Sequence, residues 1–573
     1  MLFVVSLLAL TAAQVDPLAP LTTPEPPPRV GRPRPTYPVV APPVTIPQPP
    51  ALIVPRDWRG VFAAIRASDW SGAAAGIAAL PDDPLTSIAK AQLFTARGSP
   101  TVSIDDLEAL LIQAPELPQA EQVERMAASR GVIAARALPE RPIVGLGAGP
   151  RRGRAKSITG DPVAEALRAQ LDPLLKTDQA DAAEALMLPS APLLTPEARA
   201  EAAQRVAWSY YGLGRDADAI RVAEAGRLGT TGDWAVAASW VSGLASWRQN
   251  DCTSAGARFR EVALGAREPE HAAAAAYWGA RSAQACRQPA AVAPLLKTAA
   301  RSPESFYGLV ARETLGMATR LPASAPADTR SIDSLPNVRR AAALVAIGER
   351  ALAEETLRHQ ARLGRPTDQR ALIAVAQKLD LAGVQYWLAT NGQPGTAVDP
   401  ATRYPRPRWT PQNGWRVDPA LAFGHVIQES NFRSGAVSQV GAVGLMQVRP
   451  GTAGDTARAR GAAFDVAALT DPMVNLDYGQ AFIELLGRNP ATRGQLPRII
   501  AAYNAGPVPV DRWNSIVDKG DPLLWMESIP YWETRFYVPA VMRNMWVYQG
   551  LEGKEQPTLK AIAQHKWPAF PAR

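Results

Sequence analysis

The feature that most restricts the fold of this sequence is a long alanine-rich stretch, from about Asp57 to Gly392, in which short helical patterns recur. Alanine is the strongest helix former, and runs of Val, Ile and Thr long enough to make strands are scarce. Several of the patterns end at Gly or Pro, which terminate helices. The stretch is therefore predicted to consist of helix pairs joined by short turns.

A similar helix–turn–helix unit returns at Ala207, Gly243 and Ala276. Cys252 and Cys286 are 34 residues apart, which is the period of tetratricopeptide-type helix pairs. Stacked pairs of this kind form a solenoid with a concave face. Eight aromatic residues recur at helix-pair spacing, and packing between helices explains them better than a row of ligand-binding rings: Trp208, Tyr210, Tyr211, Trp234, Trp240, Trp247, Tyr277 and Trp278.

The two cysteines, Cys252 and Cys286, allow two interpretations. In an exported protein they could form a disulfide. Two small buried thiols fit the sequence equally well. Cysteines in equivalent turns of a repeat lie near each other without always being within disulfide reach. The sequence leaves both alternatives open.

Residues 1–56 are predicted to precede the folded part of the chain. Residues 1–13 form a short apolar stretch ending in small residues, which is typical of a signal peptide and too short to span a bilayer. No Lys or Arg precedes this stretch, so a true start codon further upstream would supply the missing charge. Residues 14–56 are rich in proline and are predicted to be an extended, disordered linker. We therefore expect an exported, periplasmic protein without another transmembrane segment.

The net charge of +8 and the pI of about 9.5 would suit a polyanionic partner such as an acidic wall polymer. Arg far outnumbers Lys, so an arginine-rich genome explains the charge as well. No run of Lys and Arg with interleaved aromatic residues is present. Nucleic-acid binding is therefore not predicted.

A candidate acid follows the solenoid. Asp418 and Pro419 make a good helix start, as N-cap and first helical residue, and the predicted helix runs to about Ser430. Glu429 would then lie near the C-terminus of an apolar helix. The helix dipole and partial burial both disfavour its ionised form, which raises its pKa as a general acid near neutral pH requires. His425, one turn earlier, is interpreted as a packing residue, since two ligands do not make a metal site.

Three more segments accompany this acid. Gly441–Gln447 carries glycines where backbone must approach another group closely. Ile499–Pro507 ends a short helix with Gly and Pro, and places Tyr503 and Asn504 at that end. Glu527–Val538 opens the final helix. No zinc pattern, phosphate loop or nucleophile elbow is visible, so neither a metal nor a cofactor is predicted.

In order and spacing, four motifs resemble those of the soluble lytic transglycosylases: Glu429-Ser430, Gly441–Gln447, Ala501–Pro507 and Glu527–Val538. These bacterial periplasmic enzymes carry an α-superhelical domain before a lysozyme-like catalytic domain, and Ser305–Ala311 is similar to a segment of that superhelix. The resemblance implies an all-α protein. It would comprise a TPR-like superhelix with a linker over residues 57–399, a lysozyme-like domain over 400–550 and a C-terminal tail over 551–573.

The resemblance also implies cleavage of peptidoglycan between N-acetylmuramic acid and N-acetylglucosamine, leaving a 1,6-anhydromuramoyl end. Glu429 takes the position of the sole catalytic acid/base. Four residues would line the glycan groove, with Tyr503 orienting Glu429: Met446, Gln447, Tyr503 and Asn504. Glu533 matches a second acidic residue that shapes the site and binds substrate. The family often has Ser where this chain has Val443, which removes one possible hydrogen bond.

The expected partners are glycan strands of peptidoglycan, with cell-wall synthesis or division proteins as further candidates, and the protein is expected to be a monomer. Association with the outer membrane stays open. Two alternatives to a lytic transglycosylase are a non-catalytic scaffold that grips glycan and binds cell-wall proteins, and a muramidase that uses water. The acid and groove residues argue against the scaffold.

Overall fold

The computed structural model of the protein describes residues 53–131 and 136–570. The predicted signal peptide and residues 14–52 of the predicted linker lie outside these ranges. Within them the regular structure is helical apart from one two-stranded pair and isolated bridges. In the same ranges, no helix combines the length and apolarity needed to cross a membrane.

The described ranges contain 26 α-helices and two short strands. In chain order they are α1 (Trp58–Arg66), α2 (Trp70–Ala79), α3 (Pro84–Thr95), α4 (Ile104–Gln113), α5 (Ala120–Ala128), β1 (Val144–Gly145), α6 (Pro162–Lys176), α7 (Ala180–Ser190), α8 (Pro196–Gly212), α9 (Asp216–Arg227), α10 (Asp233–Arg248), α11 (Cys252–Gly265), α12 (Pro269–Ala285), α13 (Pro289–Ala300), α14 (Phe306–Thr314), α15 (Pro336–Ala346), α16 (Arg350–Leu363), α17 (Gln369–Lys378), α18 (Ala382–Thr390), β2 (Asn391–Gly392), α19 (Pro419–Glu429), α20 (Pro450–Ala459), α21 (Pro472–Arg488), α22 (Leu496–Ala505), α23 (Pro507–Arg512), α24 (Pro522–Glu527), α25 (Trp532–Leu551) and α26 (Pro557–Ala563).

Local sequence explains where many of these helices begin. The side chains of Asp83, Asp161 and Thr195 each cap a helix by accepting hydrogen bonds from its first backbone N–H groups. Proline follows each of them at the first helical position, where its missing N–H costs no hydrogen bond. Much of the chain's proline outside the N-terminal segment is therefore used to start helices.

The middle of the chain is a stack of helix pairs. Its successive first helices, α8, α10, α12 and α14, begin at residues 196, 233, 269 and 306. The repeat is therefore 36 or 37 residues, and the predicted 34-residue period was wrong. Cys252 opens α11 and Cys286 directly follows α12, so the cysteines occupy slightly different positions in consecutive turns. They form a disulfide, with Cα atoms 5.5 Å apart.

Aromatic residues pack between the helices of this stack. The ring of Phe259 lies 5.3 Å from that of Trp240 and 5.8 Å from that of Trp278. Six of the eight predicted packing aromatics are buried, while Trp208 and Trp247 are partly buried against the same core. Burial of large rings supplies much of the hydrophobic stabilisation of such stacks. The prediction that these residues pack is confirmed.

Two hydrophobic cores divide the folded chain. One core joins α1–α5 to α15–α18, although more than 200 residues separate the two groups in sequence. The other core runs through α6–α14 and continues into α19–α26. Because one core spans both sides of residue 400, the domain boundary expected there stays a prediction. Leu559 and Ile562 of α26 are fully buried, so much of the predicted C-terminal tail is part of this second core.

Residues 144–158, the connecting segment, link the two cores. At one end β1 pairs antiparallel with β2. Further along, the carbonyl of Pro150 accepts a hydrogen bond from Arg543, and Arg152 forms two hydrogen bonds with Glu527, at 2.8 and 2.7 Å. At the other end the N–H of Ile158 donates to Glu201 at 2.7 Å. The segment therefore contacts the helix stack and the C-terminal helices together.

The Arg152–Glu527 pair gives a prediction about stability. Both side chains are only 5% exposed, and Glu527→Gln removes the carboxylate that forms both hydrogen bonds with the buried guanidinium. Removing one partner of a buried pair costs about 3–5 kcal/mol, and we expect a loss of this size in the free energy of unfolding. Denaturant titration and calorimetry measure it.

Glu121→Gln is the matched control. It removes one partner of the Arg125–Glu121 pair, whose side chains are 65% and 72% exposed. Exposed pairs contribute little, so stability should hardly change. Equal losses in the two variants would show that the buried pair does not hold the connecting segment in place.

Candidate active site

The candidate acid lies at the end of helix α19. Asp418 caps this helix by accepting a hydrogen bond from the N–H of Ala420 at 2.9 Å, and Pro419 is its first residue, as predicted. The residues from Ala420 to Ile427 are all buried, and Glu429 is the last helical residue. Helix α19 packs closely on α25: a Cβ atom at Gly424 would lie 2.9 Å from the carbonyl oxygen of Val541. This close approach requires glycine at position 424.

A chain of hydrogen bonds joins Glu429 to two residues of the core. The hydroxyl of Tyr537, on α25, donates to Oε1 of Glu429 at 2.5 Å. Nδ1 of His425 lies 2.7 Å from the same hydroxyl. His425 and Tyr537 are buried, whereas Glu429 is half-buried at the surface end of the chain. The carboxyl group is thus held on one side by a fixed donor.

Burial is the main cause of a raised pKa at Glu429. Loss of hydration raises this pKa from 4.5 to about 7, and the negative charge of Glu533 acts in the same direction. The hydrogen bond from Tyr537 partly offsets both effects because it stabilises the carboxylate. The sequence predicted a raised pKa at Glu429, and the structure gives the same direction. A carboxyl group with this pKa is populated in both protonation states near neutral pH.

Tyr503 makes a different hydrogen bond from the one expected. Its hydroxyl donates to the main-chain carbonyl of Met446 at 2.8 Å, and its ring lies 4.4 Å from that of His425. The hydrogen bond that orients Glu429 comes from Tyr537 instead. Sequence reasoning did not select Tyr537, although it lies four residues after Glu533 and therefore on the same face of α25. The four-residue spacing from Glu533 is the sequence signal that could have identified Tyr537.

Asn475 of α21 supports the backbone of the Gly441–Gln447 strip. The side-chain Nδ2 of Asn475 donates to the carbonyls of Val443 and Leu469, and its Oδ1 accepts from the N–H of Met446 at 2.8 Å. A Cβ atom at Gly444 would lie 2.2 Å from Nδ2 of Asn475. Asn475 was not selected from the sequence, because it lies about 30 residues from the strip that it supports.

The two predicted groove residues of this strip differ in exposure. The side chain of Met446 is fully buried, and its sulfur packs on Gly479, so the prediction that it lines a groove is corrected. Residues 444–447 form a turn, and within it the neighbouring Gln447 is half-buried. Gln447 adopts a left-handed backbone conformation (φ 48°), and its amide donates to the carbonyl of Gly444 at 2.9 Å.

Asn504 and Glu533 lie together beside the acid. Nδ2 of Asn504 donates to Oε1 of Glu533 at 3.2 Å, and the hydroxyl of Thr534 donates to Oδ1 of Asn504 at 2.6 Å. Glu533 is exposed in the first turn of α25. The structure thus brings Glu429, Tyr503, Asn504 and Glu533 to one place. No group of three or more residues suited to holding a metal ion is found in the described part of the chain.

Comparison with known proteins identifies this part of the chain. Residues 410–525 match the family described as "Transglycosylase SLT domain". This region is an SLT domain. The soluble lytic murein transglycosylase of Escherichia coli (strain K12) is 32% identical over 161 residues, which make up 26% of this chain and 24% of that protein. The matched sequence thus spans about a quarter of the length of that relative.

Two solved structures extend the likeness beyond the SLT domain. The 70 kDa soluble lytic transglycosylase of Escherichia coli has a TM-score of 0.53 at 17% identity, covering 90% of this chain and 99% of that one. An inactive glutamate-to-glutamine mutant of the lytic transglycosylase Slt from Pseudomonas aeruginosa has a TM-score of 0.52 at 19% identity, covering 87% and 82%. At these identities the likeness concerns the fold. The predicted all-α architecture, a superhelix followed by a lysozyme-like domain, is confirmed.

The raised pKa of Glu429 in the SLT domain predicts a pH-dependent stability. The folded protein binds this proton more tightly than the unfolded chain, whose pKa is near 4.5. The stabilisation is complete below that value and is lost as pH rises through about 7. Glu429→Gln, which cannot ionise, should therefore gain stability over the wild type between pH 5 and pH 8, by on the order of 3 kcal/mol.

Thermal unfolding of both proteins at several pH values measures this difference. The exposed Glu121→Gln variant is the control and should follow the wild type at every pH. A constant difference between Glu429→Gln and the wild type from pH 5 to pH 8 would mean that the pKa of Glu429 is not raised.

Proposed function

We propose that this protein is a lytic transglycosylase. It cleaves the β-1,4 bond between N-acetylmuramic acid and N-acetylglucosamine in peptidoglycan without water and leaves a 1,6-anhydromuramoyl end. The observation that carries the proposal is the desolvated carboxyl group of Glu429, which lies within the SLT domain and is held by Tyr537. Glu533, the carboxylate whose charge acts on it, is exposed and bound to Asn504.

A lone acid of this kind suits a reaction in which the substrate supplies its own nucleophile. Protonated Glu429 gives its proton to the glycosidic oxygen as the bond from that oxygen to C1 breaks. The resulting carboxylate then takes the proton of the muramoyl 6-hydroxyl as O6 forms a bond to C1. Glu429 regains its proton, no water is consumed, and the intramolecular attack avoids the entropy cost of a second reactant. The common glycosidase scheme with two carboxylates is not needed.

The pKa of Glu429 fits both halves of this reaction. A group that first donates and then accepts a proton works best when its pKa lies near the working pH. Burial alone would favour the protonated form, and the hydrogen bond from Tyr537 favours the carboxylate. The two effects together leave the pKa at about 7.

The relatives support the same assignment. The matched Escherichia coli protein is named a soluble lytic murein transglycosylase, and the matched Pseudomonas aeruginosa protein is inactive as a glutamate-to-glutamine mutant. In this chain the corresponding role falls to Glu429, and substrate binding falls to Gln447, Tyr503, Asn504 and Glu533. Met446 contributes its main-chain carbonyl to Tyr503 and not its side chain.

Export to the periplasm is part of the proposal. The Cys252–Cys286 disulfide supports it, because structural disulfides form and persist in oxidising compartments. The signal-like character of residues 1–13 supports it from the sequence. Glycan strands of the cell wall would be the substrate in that compartment.

Product analysis tests the function. Purified sacculi digested with the wild-type protein should release muropeptides that mass spectrometry identifies as anhydromuramoyl species. Glu429→Gln should release them about 10²–10⁴ times more slowly, because it removes the proton donor and acceptor but keeps the shape of the side chain. Glu121→Gln should release them at the wild-type rate.

The products also separate the alternatives. Reducing muramic acid ends would indicate a muramidase that uses water. Absence of any product from the wild-type protein would favour a non-catalytic scaffold. Undiminished cleavage by Glu429→Gln would show that another group is the acid.

A further inference from the structure

We propose that His425 is a positioning residue that acts through Tyr537. It fixes the direction of the Tyr537 hydroxyl, so that Oε1 of Glu429 is held by a hydrogen bond and Oε2 is left to carry the proton. The inference rests on the proposed function, in which Glu429 is the acid and base. It gives a task to a buried histidine that the proposed mechanism does not otherwise use.

The number of protons in the chain of hydrogen bonds determines its direction. An ionised carboxylate can only accept, and the Tyr537 hydroxyl has one hydrogen. That hydrogen is directed to Glu429 Oε1, 2.5 Å away. The oxygen of Tyr537 therefore faces His425 with a lone pair, and Nδ1 of His425, at 2.7 Å, must be the donor. The hydroxyl is thus fixed from both sides.

The surroundings of His425 agree with this assignment. Burial lowers its pKa to about 3, so the ring is neutral and carries one proton. With that proton on Nδ1, Nε2 is a bare acceptor, and Nε2 is a fully buried atom without a hydrogen-bond partner. A buried polar atom without a partner costs stability. An apolar side chain would avoid this cost, but it could not donate to Tyr537.

The donor at His425 also affects the proton affinity of the acid. A hydroxyl that accepts a hydrogen bond becomes a stronger donor itself. Tyr537 therefore stabilises the carboxylate of Glu429 more strongly when His425 donates to it. This counteracts burial and the charge of Glu533, which both favour the protonated acid.

The other titratable groups that face Glu429 offer no substitute donor. Tyr537 and Glu533 approach it from α25, Tyr503 from α22, and His425 lies on its own helix. The hydroxyl of Tyr503 donates to the Met446 carbonyl, and Glu533 is an acceptor. None of these groups replaces the His425 donor, so its removal should change the pKa of Glu429.

Two substitutions separate the hydrogen bond from packing. His425→Leu removes the donor and fills much of the space. His425→Asn keeps an N–H close to the position of Nδ1. In His425→Leu we expect the pKa of Glu429 to rise by about 1 and kcat to fall about tenfold. One well-placed hydrogen bond changes an equilibrium constant or a rate by roughly tenfold. Both values should return most of the way to wild type in His425→Asn.

The pKa is measured without turnover, from the carboxyl C=O band in infrared difference spectra against Glu429→Gln. The descending limb of the pH–rate profile, recorded with sacculi, should move upward by the same amount. His271→Leu is the matched control: His271 is another desolvated histidine, with its pKa lowered to about 3, but it lies in α12 of the solenoid. It should leave both measurements unchanged.

A double substitution tests whether His425 acts through Tyr537. In a Tyr537→Phe background, His425→Leu should shift the pKa of Glu429 no further. An unchanged pKa in the single variant, or an equal shift in the two backgrounds, would overturn the inference. The infrared titration decides this whether or not the wild-type protein releases anhydromuramoyl products, so failure of the proposed function would be recognised separately.

Discussion

The buried ion pair between Arg152 and Glu527 is the interaction on which the arrangement of this protein depends. Arg152 lies on the connecting segment and Glu527 at the end of α24, and the hydroxyl of Tyr307 in the helix stack donates to the same carboxylate at 2.7 Å. The guanidinium also lies over the rings of Trp240, at 4.7 Å, and Phe536, at 5.3 Å. Buried charges are tolerated only with good partners, so these three parts of the chain must be in place together.

This contact bears directly on the geometry of the site. Phe536 is the residue before Tyr537, which holds the candidate acid. The neighbouring Arg535 lies 3.5 Å from the centre of the Trp208 ring in α8 and donates to the carbonyl of Ile529. The start of α25 is therefore fixed on the helix stack by one face and presents Glu533 and Tyr537 on another. The stack thus contributes to the position of the acid as well as to the bulk of the molecule.

Local signals in the sequence were sufficient to predict individual helices. They were not sufficient to predict which helices and side chains contact one another. The Asp418-Pro419 start and the apolar run before Glu429 predicted α19 correctly, because capping and burial of one helix depend on adjacent residues. Tyr537 is 108 residues from Glu429, and only the packing of α19 on α25 brings them together. Helices α15–α18 share a core with α1–α5, and this packing also depends on contacts between residues far apart in the sequence. The Met446 prediction was wrong because the left-handed turn at Gln447 and the support of Asn475 fix which side chain of the strip faces the core.

The balance of forces at Glu429 suits the proposed reaction, in which one carboxyl group does what usually needs two. An acid that must give up a proton and regain it cannot strongly prefer either state. Desolvation by α19 and α25 destabilises the carboxylate, and the donor at Tyr537 stabilises it, so neither state dominates. A second carboxylate within contact distance would disturb this balance by raising the pKa further. Glu533 forms its hydrogen bond with Asn504, and its influence on Glu429 is exerted through an exposed, solvated charge.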